Sequence, residues 1–202
     1  MKRAFLIFAL LAIGVGGCAF FSGKNANNSM VDLQEQATAQ WSQVENVYQR
    51  RADLIPNLVS TAKQYAEFEQ STLTNVSQAR RQVSDIVVTE EVLNDPALME
   101  KFQQSQNQLS QALSRFLSVA ENYPDLKANQ QFTALMAELS GTENRISVER
   151  KRFIDSTRAY NTYIRKFPNS IWAGMFGFDK MQSFQAQAGA ENAPNVGELF
   201  ND

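Results

Sequence analysis

Counting alternately four and three residues from Ala37 meets Trp41, Val44, Tyr48, Arg51, Ile55, Leu58, Ala62, Tyr65, Glu69, Thr72, Val76, Ala79, Val83 and Ile86. A mostly apolar seam with a seven-residue repeat over so long a stretch calls for helices packed side by side. A second seam runs Leu98, Phe102, Ser105, Leu109, Ala112, Phe116, Val119, Tyr123. A third runs Phe132, Leu135, Leu139, Thr142, Ile146, Glu149, Phe153, Ser156, Tyr160, Tyr163, Phe167, and Pro168 stops it. Asp95 opens the second, because its carboxylate caps the free amides of a first turn and Pro96 suits the first helical position. The connections, 87–95 and 123–129, are short, so neighbouring helices run antiparallel. The expected fold is all-α: an elongated, antiparallel up-and-down helical bundle of three long periodic segments.

The first segment, 30–87, would rise about 80 Å as one helix, leaving half of its apolar face without a partner. Inside it lies YQRRADLIPNLV, residues 48–59. Pro56 has no amide hydrogen and its ring collides with the Ala52 carbonyl, costing ~3 kcal/mol or more within a helix. The helix is therefore expected to be kinked or broken near Pro56, and a break would give a four-helix bundle. RRADLI holds no glycine or other turn residue, which argues against a full reversal there. Arg50 and Arg51 carry donors for the freed carbonyls. Asp53 can pair with Arg50 at i, i+3 or accept from amides after the proline. Arg51 also falls on the seam, as Glu149 does on the third. A buried charge needs a partner, so Arg51 is expected to meet Glu149 or its neighbour Glu143, a pair that fixes register more than it stabilises.

The amino terminus, MKRAFLIFALLAIGVGGCAFF, has the basic start, apolar run and small residues of an export signal. Val15-Gly16-Gly17-Cys18 resembles the lipobox of bacterial lipoproteins, in which a signal (here 1–17) is cut and the cysteine thiol carries a diacylglycerol. The competing reading is an uncut transmembrane anchor over 4–21, at the short limit for a ~30 Å hydrocarbon core. In both, Lys2 and Arg3 hold the short end in the cytoplasm and the bulk lies beyond the inner membrane. The expected address is the cell envelope, as a lipoprotein facing the periplasm. Inner against outer membrane stays open, with Ala19 after the cysteine resembling the outer-membrane sorting pattern. Residues 22–29, SGKNANNS, read as a flexible tether behind Cys18, and 185–202 as a disordered acidic tail.

Chemistry is bounded by absence. The 202 residues include no histidine, the commonest general base and transition-metal ligand, and one cysteine, so no intrachain disulfide or multi-cysteine zinc site can form. A net charge of -2 gives no general attraction for nucleic acid or anionic lipid. Di-metal bundle sites need Glu-x-x-His motifs. Carboxylate-only binding of a hard cation by Glu67, Glu69 or Glu90-Glu91 lacks a loop signature, and no base stands in a recognisable motif beside a hydroxyl. No catalytic, cofactor or metal residue is assigned. The glutamine-rich 103–111 reads as a solvated face or a partner-binding one. The charge run 149–152 reads as a local ion-pair network.

WSQVENVYQRRADLIPNLVSTAKQYAEFE, and later YPDLKANQQFTALMAELSGTENRISVERKRFIDSTRAYNTYIRKFPNSIWAGMFGF, resemble the LemA family of bacterial membrane-associated proteins over 33–184. The resemblance implies a membrane-tethered helical bundle, here 30–184, with no family catalytic residues to carry over. It also implies one amino-terminal transmembrane helix, from which Cys18 is a departure. The stretch NSIWAGMFGF after Pro168 fits a short helical cap folded back on the bundle end, or a membrane-touching or partner-binding wedge. The function expected on this reading is a non-enzymatic interaction or scaffold module of the envelope. Its partners would be the membrane, through the amino-terminal anchor, and an envelope protein of unknown identity, with no nucleic acid and no cofactor. The alternative is an envelope enzyme or cation-binding factor using carboxylates.

Overall fold

The computed structural model describes residues 2–65, 68–85 and 90–185, without the side chains of 2–13, 15, 16, 18, 19 and 90. The described elements are all helical: α1 (Lys2–Ala62), α2 (Gln70–Ser84), α3 (Pro96–Ala120), α4 (Pro124–Ala128), α5 (Gln130–Arg165) and α6 (Asn169–Phe176), with a 3₁₀ turn at Glu90–Leu93.

The spine is α1, whose 61 residues rise ~90 Å. Along it α5 runs antiparallel: Trp41 packs against Phe153 with ring centroids 5.0 Å apart, and further up α1, Arg51 meets Glu143, further back in α5. By contrast α3 runs parallel to α1, with Tyr48 against Phe102 at 5.2 Å and, beyond the end of α1, Phe68 against Phe116 at 5.4 Å. The fourth place, over the upper part of α1, is filled by α2. Up, down, up and down is the order of the long helices.

Pro56 does not break the chain. The helix continues through it to Ala62. Reversal comes at 63–69, through turn bonds such as Gln64 N to Thr61 O (3.2 Å) and Phe68 N to Tyr65 O (2.9 Å). The four-helix arrangement is therefore reached with the turn two helical turns later than the proline. The reason lies in α2: Arg80 Nε donates to the Ala52 carbonyl at 3.1 Å, replacing the amide that Pro56 lacks. A helix defect whose acceptor finds another donor no longer forces the chain out of its path.

Two seams shift by a residue. In α3 the buried residues are Met99, Phe102, Ser105, Gln106, Leu109, Leu113, Phe116 and Ala120, so Phe102, Ser105, Leu109 and Phe116 of the count are buried while Leu98, Ala112 and Val119 flank them. In α5 the line drifts from the strict repeat to Thr157 and Ile164, because an α-helix of 3.6 residues per turn rotates ~20° per heptad. Phe167, placed on the seam by counting, is 82% exposed. Asp95 caps α3 by accepting from Ala97 N (2.8 Å) and Leu98 N (3.3 Å). The connections contribute to the core through Val92, Leu93 and Leu126, all buried.

Residues 22–29 are not a free tether. They continue α1, with Gly23, Ala26 and Met30 forming one buried face. A Cβ at Gly23 would come within 3.1 Å of the Trp172 ring of α6. Gly177, at φ 76, ends α6 in the left-handed region that favours glycine, and Phe178 N then bonds the Ala173 carbonyl at 2.9 Å. The stretch SGKNANNS looks polar in sequence, yet its Gly23 and Ala26 lie on the buried side of α1, where Trp172 packs against Gly23.

Among the described residues no helix is long and apolar enough to cross a membrane. The side chains of 2–13, 15 and 16 in the expected signal, those of Cys18 and Glu90, all of Glu67 and Ile86, and the expected acidic tail after Gln185 lie outside the described residues.

The proline repair predicts a coupling. Arg80→Ala is expected to destabilise the native chain, and to cost about 1 kcal/mol less when Pro56→Ala has restored the amide, as a denaturation double-mutant cycle would measure.

Candidate functional site: a charged layer inside the bundle

The buried side chains divide into two apolar clusters. One, from Leu54 upwards, includes Leu58, Val76, Phe116 and Leu139; the other, from Tyr48 downwards, includes Trp41, Phe102, Phe153 and Tyr160. Between them α1 places Arg51, whose side chain is 1% exposed. Its Nη1 donates to Ser110 Oγ (3.0 Å) and to Glu143 Oε2 (3.1 Å) and Oε1 (3.3 Å). Its Nη2 donates to the side-chain oxygen of Gln106 and, at 3.4 Å, to the Gln106 carbonyl. The guanidinium carbon lies 5.1 Å from the Tyr48 ring centroid. Its Nε has no acceptor among the described residues. Three helices thus meet on one cation.

Burying a guanidinium costs several kcal/mol before any partner is counted. Here Glu143 is half exposed, so its carboxylate keeps part of its hydration while Gln106 and Ser110 supply the inner acceptors. The net stabilisation of such a layer is small, but removing the cation would orphan the Gln106 side chain. Beside it opens a cleft of about 300 Å³ lined by Tyr48, Gln49, Ala52, Val83, Phe102 and Gln106. Among the described residues, no group of three His, Cys, Asp or Glu side chains is placed to hold a metal ion.

The other charges of the opening motif are distributed differently. Arg50 pairs with Glu138 of α5 at 2.7 Å, and Asp53 accepts from Gln49 Nε2 at 2.9 Å, so the two do not pair with each other. Glu149 accepts from Gln40 Nε2 (2.7 Å) and Arg152 (2.9 Å). It stands ~9 Å beyond Glu143 along α5, too far to share Arg51. Repair at Pro56 falls to Arg80 instead of Arg50, Arg51 or Asp53. Glu69 accepts from Thr72 Oγ1 (3.2 Å) and from Ser71 at the start of α2.

Below the layer, the segment after α6 returns along the bundle. Asn161 clamps it with both ends of its amide: Nδ2 donates to the Met181 carbonyl (2.9 Å) and Oδ1 accepts from Met181 N (3.0 Å). Tyr160 Oη donates to the Asp179 carbonyl at 2.9 Å, and Gln182 N to the Leu93 carbonyl at 2.6 Å. Phe184 ends the strap against Trp41, Phe102 and Phe153, with the Arg150 guanidinium 4.3 Å from its centroid.

The model of the LemA family matches residues 40–197, taking in the charged layer, Pro56 and the strap. The chain belongs to the LemA family. It is 24% identical over 191 residues to the magnetosome protein MamQ of Magnetospirillum gryphiswaldense, covering 87% of this chain and 70% of that one. It is 24% identical over 200 residues to Protein LemA of Metamycoplasma hominis, covering 99% and 86% respectively.

In this LemA-family bundle, sequence reasoning missed Arg80, Gln106 and Ser110 as parts of the polar machinery. Gln106 carried one signal, an amide in the middle of an apolar register, although the one-residue shift in the α3 seam hid it. Arg80 carried none, because its acceptor is created by a proline on another helix.

Burial pushes the Tyr48 phenol up from 10.0, against the opposing pull of Arg150 and Arg51. Burial also raises Tyr160, with Asp179 adding to it. A phenol that holds its proton more tightly when folded stabilises fully below the unfolded value and loses that contribution as pH climbs through the folded one. Tyr48→Phe is therefore expected to flatten the fall of melting temperature above about pH 10, read by thermal melts in alkaline buffers. Arg51→Ala is expected to cost about 3 kcal/mol, against less than about 1 kcal/mol for the solvent-screened Arg50→Ala, both by chemical denaturation.

Proposed function

We propose that this LemA-family chain is a membrane-tethered helical bundle of the cell envelope, an interaction or scaffold module rather than an enzyme. The observation that carries the reading is the fate of Arg51, the fully buried cation among the described residues. Both of its terminal nitrogens are engaged with α3 and α5, so the interior charge ties helices together instead of facing a substrate.

Tethering rests on Val15-Gly16-Gly17-Cys18 and the apolar run before it. If the chain is cut and acylated at Cys18, the anchor enters α1 directly, and two or three acyl chains at ~0.8 kcal/mol per buried CH₂ hold it firmly. The far end of α1 would then stand ~65 Å from the lipid, at ~1.5 Å per residue. Such a mast presents its bundle to envelope proteins while remaining fixed at one end. The periplasmic face is where Lys2 and Arg3 direct it, and Ala19 favours the outer membrane.

Metabolic fatty-acid labelling tests the anchor: the native chain is expected to incorporate label and Cys18→Ser to incorporate none. Equal labelling of both would overturn the lipoprotein reading. A chain that keeps its fold after Arg51→Ala yet loses a measured catalytic turnover would overturn the non-enzymatic one.

A further inference from the structure

Exposed apolar side chains are not spread evenly over this molecule. Of the eight large hydrophobic residues exposed among the described ones, six stand at one end: Phe20, Phe21, Phe167, Ile171, Met175 and Phe176. Phe20 and Phe21 are on α1 one turn before Gly23, and Gly23 is the residue against which Trp172 of α6 packs. Ile171 and Met175 are one helical turn apart on α6, and Phe176 stacks on Trp172 at 6.2 Å and 17°. Trp172 and Ala173 face α1, so α6 is fastened by one side and leaves the other bare. An apolar patch of this kind on a folded protein calls for an occupant.

Depth selects the occupant. From Cys18 to Gly23, α1 rises ~7.5 Å, close to the thickness of one headgroup layer. A lipid on Cys18, or a span ending near Phe21, puts α6 within that layer either way. Charge agrees: Lys24, Arg165, Lys166 and Lys180 are exposed around the patch, and residues 165–185 contain a single acid, Asp179. Aromatic and aliphatic side chains flanked by lysine and arginine suit the boundary between acyl chains and anionic headgroups.

We propose that α6 is a membrane-docking helix, whose Ile171, Met175 and Phe176, with Phe20, Phe21 and Phe167, lie in the interface of an anionic bilayer. This rests on the amino-terminal anchoring proposed above and adds a second, non-covalent contact to it. The two contacts together fix the tilt of the mast, because a single flexible lipid would let the bundle swing. Gly23 then has a definite role: it lets Trp172 approach α1 closely enough to hold α6 beside the anchor.

The test uses the full chain purified from membranes and reconstituted into vesicles of phosphatidylcholine mixed with a minority of phosphatidylglycerol, with and without brominated acyl chains. In a Trp41→Phe background that keeps Trp172 and its contact with Gly23, and with the emission of Trp172 alone measured and subtracted, Met175→Trp reports the α6 face. Thr133→Trp, at the other end of α5 and ~50 Å along it, serves as the control. Flotation with the vesicles reads the anchor, and circular dichroism checks the fold. Met175→Trp is expected to lose about half its emission to bromine while Thr133→Trp keeps its own, with weaker quenching in pure phosphatidylcholine. Flotation without quenching at Met175→Trp would overturn the docking helix and leave the anchor standing. So would a dimer in detergent that buries the same face. Failure to float would overturn the anchor and the docking helix together.

Discussion

One guanidinium organises the interior. Arg51 sits where the heptad count demands an apolar side chain, and it is satisfied only if Gln106 and Ser110 of α3 and Glu143 of α5 arrive at the same level. Sliding either helix by one heptad, ~10 Å, would keep the apolar seams in contact but set the charge among leucines and phenylalanines without an acceptor. Apolar seams alone are permissive about register, whereas a buried ion is not. The two hydrophobic clusters on either side of Arg51 are therefore held in one alignment by a layer that adds little to their total stability.

The long α1 works because its defects are answered from outside. Pro56 removes one hydrogen bond, and Arg80 on α2 supplies another donor to the same carbonyl. The lower half of α1 has no α2 to cover it. Its apolar face is instead closed by α6 and by the strap, which Asn161 and Tyr160 hold with hydrogen bonds to backbone atoms and which Phe184 plugs against Trp41. Different elements thus serve the upper and lower halves of one bundle, with the charged layer at their junction.

The span matched by the LemA family model begins at residue 40 and ends at 197. It includes everything that makes the bundle a bundle: the Arg51 layer, the repaired proline and the strap. The stretch before it, which contains the proposed anchor, falls outside the match. The family assignment consequently speaks for the architecture, and the membrane attachment of this chain is argued from Cys18 and the exposed aromatic end.

The repeat of apolar residues determined the helical class and the burial of Arg51, the short connections the direction of the helices, and the pair Asp95-Pro96 the cap, because each depends on residues close together in the chain. Even the acid for Arg51 was narrowed to Glu143 or Glu149 by counting. Counting failed where a residue's environment is made by a distant one. A proline reads as a breakpoint until α2 brings Arg80, the stretch 22–29 reads as a loose tether until α6 brings Trp172, and Asn161 carries no signal until the strap returns to it. Local spacing decides which side of a helix is apolar. Only the assembled bundle decides which donor reaches an orphaned acceptor, since that distance is set by packing between helices and not by position along the chain.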